Sequence, residues 1–186
     1  MNYKSGLRLY KDILSEHSDR RIPYSSLLQA SEWQEKRATI IKRDQEKCQK
    51  CKSLPTEDIG GYDKNGEKTF LLYDSVIKGF VQTDSGSFVT TKKEVHLHVH
   101  HKFYIDGKLP WEYLDESLIT LCNWCHWDLH QNEVVMVYSQ TENGQLIPLK
   151  LTPCNRCNGA GWFQEYHHVA NGICFRCNGA MYEERI

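Results

Sequence analysis

Cysteine and histidine are the residues of this chain whose types and spacing promise chemistry. All 8 cysteines fall into four C-x-x-C pairs, Cys48/Cys51, Cys122/Cys125, Cys154/Cys157 and Cys174/Cys177. Thiolates at that spacing grip zinc, and four pairs supply two complete tetrahedral sites. The histidines gather differently. His100 and His101 are adjacent at the end of an alternating run, and His126 and His130 are four apart, so on a helix they project from one face. Hydrolysis of a phosphodiester needs a base to deprotonate water, a cation to neutralise charge building on phosphorus and the leaving oxygen, and a frame that fixes both. A strand carrying adjacent histidines and a helix carrying two more meet those needs.

The elements that must position these groups are legible in outline. Val95, Leu97 and Val99 alternate with His96, His98 and His100, which predicts a strand with one apolar face and one imidazole face. His98 shares the face of His100 and is therefore a candidate substrate-contacting or supporting group. His17, His96, His167 and His168 read as ordinary surface or core residues. Ser117-Leu118-Ile119-Thr120-Leu121 leads into Cys122 and then into the segment with His126 and His130. A helix is predicted from Ser31, with Ser31 and Gln34 fitting a capping box and Trp33, Arg37, Ile40 and Ile41 on one side. It delivers Cys48 and Cys51. Residues 1–30 read as a helical arm on Leu7, Tyr10 and Ile13/Leu14, broken at Pro23. Short strands are expected between Cys51 and the histidine run, and a hairpin about Asn143-Gly144, a pair favoured in type I′ turns.

Composition sets the setting. The mean hydropathy of -0.61 argues against one large continuous core, so small modules need metal staples. A disulfide framework is the competing reading of the cysteines. The first thirty residues carry Lys4, Arg8, Lys11, Asp12, Glu16, Asp19, Arg20 and Arg21 around no apolar signal core, which points to a reducing, cytoplasmic compartment instead. No run approaches the ~18 apolar residues of a membrane span, so no membrane partner is expected. Formal net charge is -1, but residues 1–52 hold 12 Lys and Arg against 7 Asp and Glu, which concentrates positive field near the N-terminus.

The sequence Cys48-x-x-Cys51, then Val99-His100-His101, then Ser117-Leu118-Ile119-Thr120-Leu121-Cys122-x-x-Cys125-His126-x-x-x-His130, resembles the HNH, or ββα-metal, nucleases over roughly residues 31–132. The resemblance implies an α+β fold with a zinc-stapled ββα core. It implies His100, His126 and His130 as ligands of a catalytic divalent ion and His101 as general base. DNA would be cut to a 5′-phosphate and a 3′-hydroxyl. The motif's middle residue, usually asparagine, is Ser117 here, nine residues before His126. A hydroxyl lacks the amide's separate donor and acceptor, so the bracing is weaker or borrowed from elsewhere. Three neutral imidazoles favour zinc, nickel or manganese in affinity over magnesium, with all four as candidates for turnover.

By the same resemblance Cys48/Cys51 joins Cys122/Cys125 around one structural zinc, leaving Cys154/Cys157 with Cys174/Cys177 for a second. This last pair is an internal near-repeat, Cys154-Asn-Arg-Cys157-Asn-Gly-Ala-Gly161 and Cys174-Phe-Arg-Cys177-Asn-Gly-Ala-Met181. It is similar to the C-x-x-C-x-G-x-G repeat of DnaJ-type co-chaperones. Arg156, Arg176, Trp162, Phe163, Tyr166 and Phe175 there mix cations with rings that can stack on bases, or form a small core. The expected organisation is a basic helical region over 1–30, a nuclease domain over 31–132, and a hairpin with a zinc knuckle domain over 133–186. Lys36, Arg37, Lys42, Arg43 and Lys102, with Lys47, Lys50 and Lys52, are candidates for phosphate contact. Two rivals stand beside this reading: a non-catalytic zinc protein that binds nucleic acid, and a chaperone-like interaction module that would leave the four histidines without a role.

Overall fold

The computed structural model describes residues 8–17, 22–74, 77–166 and 169–186. Leu7, Lys4, Asp19, Arg20 and Arg21 of the predicted arm, Val76, and His167 and His168 lie outside the described residues. The chain is a mixed α+β protein of short helices and small sheets. In chain order come α1 (Tyr10–Glu16), α2 (Tyr24–Leu27), α3 (Ser31–Arg43), β1 (Thr56–Tyr62), β2 (Lys68–Asp74), β3 (Gly79–Phe80), β4 (Thr90–Thr91), β5 (Leu97–His101), β6 (Tyr104–Ile105), β7 (Leu118–Cys122), α4 (Asn123–Asn132), β8 (Val137–Gln140) and β9 (Leu146–Pro148). No helix among the described residues is long and apolar enough to cross a membrane.

Two compact units share the chain. One comprises the described residues up to Thr39 with His101–Leu118 and Trp127–Ile186; the other comprises Ile40–His100 and Ile119–His126. The division passes inside α3, β5, β7 and α4, each of which is one continuous element.

In the second unit the stretch after Cys51 forms an antiparallel sheet in which β2 pairs with β1, β3 and β4. The register slips between Glu57 and Gly61, where Gly60 takes a φ of +75° that a side chain would resist. Beside it, β5 pairs with β7, and β7 passes directly into α4. Val95, Leu97 and Val99 are buried, as the alternation requires, while on the other face exposure falls from His96 through His98 to buried His100.

The start of α3 differs from the expected capping box. Ser31 lies inside the helix, its hydroxyl donates to the Glu32 carboxylate at 3.1 Å, and Gln34 sends its amide back to Leu28 O at 2.7 Å. Glu32 itself accepts from the Tyr10 backbone N–H at 3.2 Å, so a carboxylate caps α1. The hairpin of β8 and β9 is present, but its turn is not type I′: only Gly144 has positive φ, and Gly144 N donates to Thr141 O.

Candidate metal centres

Cys48, Cys51, Cys122 and Cys125 come together with their sulfurs all within 4.8 Å of one another, and so do Cys154, Cys157, Cys174 and Cys177. Each tetrad is a donor set for one structural zinc. In the first, the loop after α3 turns back through Lys52 at φ +63°, with Cys48 N donating to Ser53 O and Lys52 N to Cys48 O. Gln49 N reaches Thr120 O of β7 at 2.8 Å, which sets this knuckle beside the one that opens α4. Buried Asp44, its carboxylate held by Arg43 at 2.9 Å, accepts the Thr120 N–H at 2.8 Å and locks the end of α3 to the same strand.

Cys51 is the exposed member. Burial raises its thiol, but hydrogen bonds with Ser53, Cys48 and Cys125 outweigh this and carry it down to about 6. Burial holds Cys122 up at about 11. Four thiols this close do not ionise together without a cation to absorb the charge.

The second tetrad is buried throughout and shows why the repeat exists. Cys154 N donates to Met181 O at 2.8 Å and Cys174 N to Gly161 O at 2.9 Å, so each knuckle begins on the carbonyl that ends the other. Met181, standing where the first copy has glycine, adopts φ +69° against +77° at Gly161. The backbone keeps its form and Met181 accepts the strain. The knuckle aromatics divide: Trp162 and Phe163 pack against Trp127 of α4, with centroids 6.0 and 5.6 Å away, whereas Tyr166 and Phe175 stay exposed. Arg156 lies over Phe163, and Arg176 is paired with Glu183.

A third cluster is made of imidazoles. His100 on β5 and His126 and His130 on α4 have ligand nitrogens all within 4.8 Å. His126 Nε2 stands 3.1 Å from His100 Nδ1. Burial lowers His130 to about 4, so it presents a neutral ring and a lone pair at any pH where zinc-binding thiolates survive. Such a set suits a borderline transition metal such as zinc or nickel.

His101 is placed otherwise. Adjacent strand residues point to opposite faces, so His101 falls with Leu97 and Val99 on the apolar side. It is 2% exposed, stacked on Trp33 and Tyr104 and edge-on to Tyr113. Its Nε2 lies 2.9 Å from Pro110 O, an acceptor, which assigns the ring hydrogen to Nε2 and leaves Nδ1 as the lone-pair side, 3.5 Å from the Tyr24 hydroxyl. Burial carries its pKa down to about 4.

That shift has a measurable consequence. The unfolded ring takes a proton near its ordinary 6.5 while the folded one stays neutral to about 4, so stability is lost as pH falls between those values. At pH 5 the loss from this residue is about 2 kcal/mol. Thermal melts of the zinc-loaded protein at pH 7 and pH 5 should show a smaller drop for His101→Gln than for wild type, because thiol protonation is common to both. Equal drops would contradict the burial argument.

Ser117 contributes through its backbone: its carbonyl accepts from Lys102 N at 2.9 Å and its N–H donates to Leu114 O. The residue that braces the histidine strand is Asn123, which sequence reasoning passed over as a spacer within Cys122-x-x-Cys125. It is fully buried. Its Oδ1 accepts from His96 N at 3.0 Å, its Nδ2 donates to Glu94 O at 3.3 Å, and its own N–H donates to His96 O at 2.9 Å. An amide at the first position of α4 was the available signal.

Three of the candidate cations are held by partners within the protein. Lys36 pairs with Asp115 at 2.5 Å, Arg43 with Asp44, and Lys102 donates to Glu116 O at 2.7 Å. Arg37 is half-buried, which lowers its guanidinium pKa, while Lys42, Lys50 and Lys52 are exposed and Lys47 is half-buried. No protein-family model, curated protein or solved structure matches the chain.

Proposed function

We propose that this protein is a metal-dependent endonuclease of the HNH kind that hydrolyses DNA phosphodiester bonds, with a divalent ion on His100, His126 and His130 and structural zinc in the two cysteine tetrads. The observation that carries it is the imidazole triad, built by a strand and a helix that follows directly from that strand's partner. Bound there, a divalent ion supplies charge for the phosphorane and the departing 3′ oxygen. The protein's own part is geometric. Asn123 holds the strand, the first tetrad holds the start of α4, and both fix the spacing of His100 and His126 before substrate arrives.

The HNH resemblance gives His101 the role of general base, although its ring lies on the face of β5 opposite the triad. The hydrogen on Nε2 is fixed by Pro110, so Nδ1 is the nitrogen that takes a proton from water, and water must replace the Tyr24 hydroxyl to reach it. The enclosure of that ring also favours a second reading, a zinc protein that binds nucleic acid without cutting it.

End-group analysis tests the proposal. A labelled duplex incubated with zinc-loaded protein and magnesium, manganese, nickel or added zinc should yield fragments that a ligase rejoins, as 5′-phosphate and 3′-hydroxyl ends allow. A folded protein that binds the duplex and leaves it whole with every ion would select the second reading.

A further inference from the structure

The imidazole face of β5 does not end at the triad. His96, immediately before β5, and His98 and His100 on it follow one another at alternate positions, exposed, half-buried and buried in that order. The His98 ring stands edge-on to His126 with centroids 5.3 Å apart, next to the triad but outside its ligand cluster. At the outer end His96 meets the Glu94 carboxylate at 3.1 Å, and Trp124 presents a 44%-exposed ring whose indole N–H is pinned to Glu94 O at 2.9 Å. Lys93 Nζ lies 5.6 Å above that ring. All of these residues belong to the second unit.

We infer that the DNA strand to be cut reaches the triad along this face, with His98 contacting the phosphate beside the scissile one and Trp124 with Lys93 receiving the nucleotide beyond it. The inference rests on the nuclease reading for the identity of the polymer. Same-face positions on a strand are about 7 Å apart, which suits consecutive phosphates of one extended nucleic-acid strand. An indole fixed by its own hydrogen bond offers a preset plane for a base, and a lysine beside it offers a phosphate partner. The carboxylate at this edge has the His96 ring as a hydrogen-bonding partner, Nε2 standing 3.1 Å from it. The cations of α3 and Lys102, by contrast, are mostly committed to partners within the protein.

Fluorescence anisotropy of a labelled single-stranded DNA, read on the full zinc-loaded chain, tests the track. Trp124→Ala should weaken binding about tenfold, with Trp124→Phe restoring most of it. His98→Asn should weaken binding several-fold, in keeping with loss of one phosphate contact, while a cobalt titration shows the triad's affinity unchanged. Unaltered binding by Trp124→Ala would overturn the track, as would loss of cobalt by His98→Asn, which would make His98 a ligand. Weakened binding in a protein that cuts nothing would uphold the track and defeat the nuclease reading, so the two failures are distinguishable.

Discussion

Cys122→Ser should leave the protein with one structural zinc and without a folded second unit. Cys122 closes the first tetrad, ends β7 and immediately precedes Asn123, so its loss strikes the metal, the strand and the brace together. A structural zinc site in a small module is worth roughly 10–16 kcal/mol of apparent binding. That is as large as the whole ~5–15 kcal/mol stability of a typical domain. Native mass spectrometry should count one zinc fewer, and amide exchange should accelerate across residues 40–100. Protection around Cys154–Met181 should persist, since the second tetrad lies in the other unit. Retained protection across 40–100 with one zinc lost would show that the sheet holds itself without the staple.

His100→Ala should cost cleavage about a thousandfold while leaving both structural zincs in place. The side chain is 3% exposed and faces His126, so truncation opens the triad without disturbing the opposite, apolar face of β5. The loss of several kcal/mol of charge stabilisation by a displaced ion, at about 1.4 kcal/mol per tenfold, gives that magnitude. Single-turnover rates on a labelled duplex, compared at matched zinc content, measure it. A rate within tenfold of wild type would remove His100 from the site.

How far the sequence alone reached can be read from these residues. The four C-x-x-C pairs, the period-2 histidine run and the i, i+4 pair are local patterns, and they appear in the structure in the tetrads, β5 and α4. What the sequence hid depends on partners distant along the chain. Asn123 looks like a spacer until His96 and Glu94, 27 and 29 residues away, are set against it. Lys36 counts as a free cation until Asp115 meets it across 79 residues. Ser31 reads as a cap because the contact of its neighbour Glu32 with Tyr10, 22 residues away, is invisible locally. His101 is the sharpest instance. The alternation that named His100 places its neighbour on the apolar face, and only the tertiary structure encloses that ring with Trp33, Tyr104, Tyr113 and Pro110.

Metal add-back on a supercoiled plasmid distinguishes an imidazole triad that holds a DNA-cutting ion, as proposed, from one that does not. Zinc-loaded protein is dialysed against a mild chelator until only the two cysteine sites remain filled, and manganese, nickel, magnesium or zinc is then returned. The depleted protein should not nick, and nicking should rise in step with occupancy of the third site. A third site that fills while the plasmid stays supercoiled with every ion would contradict the proposal.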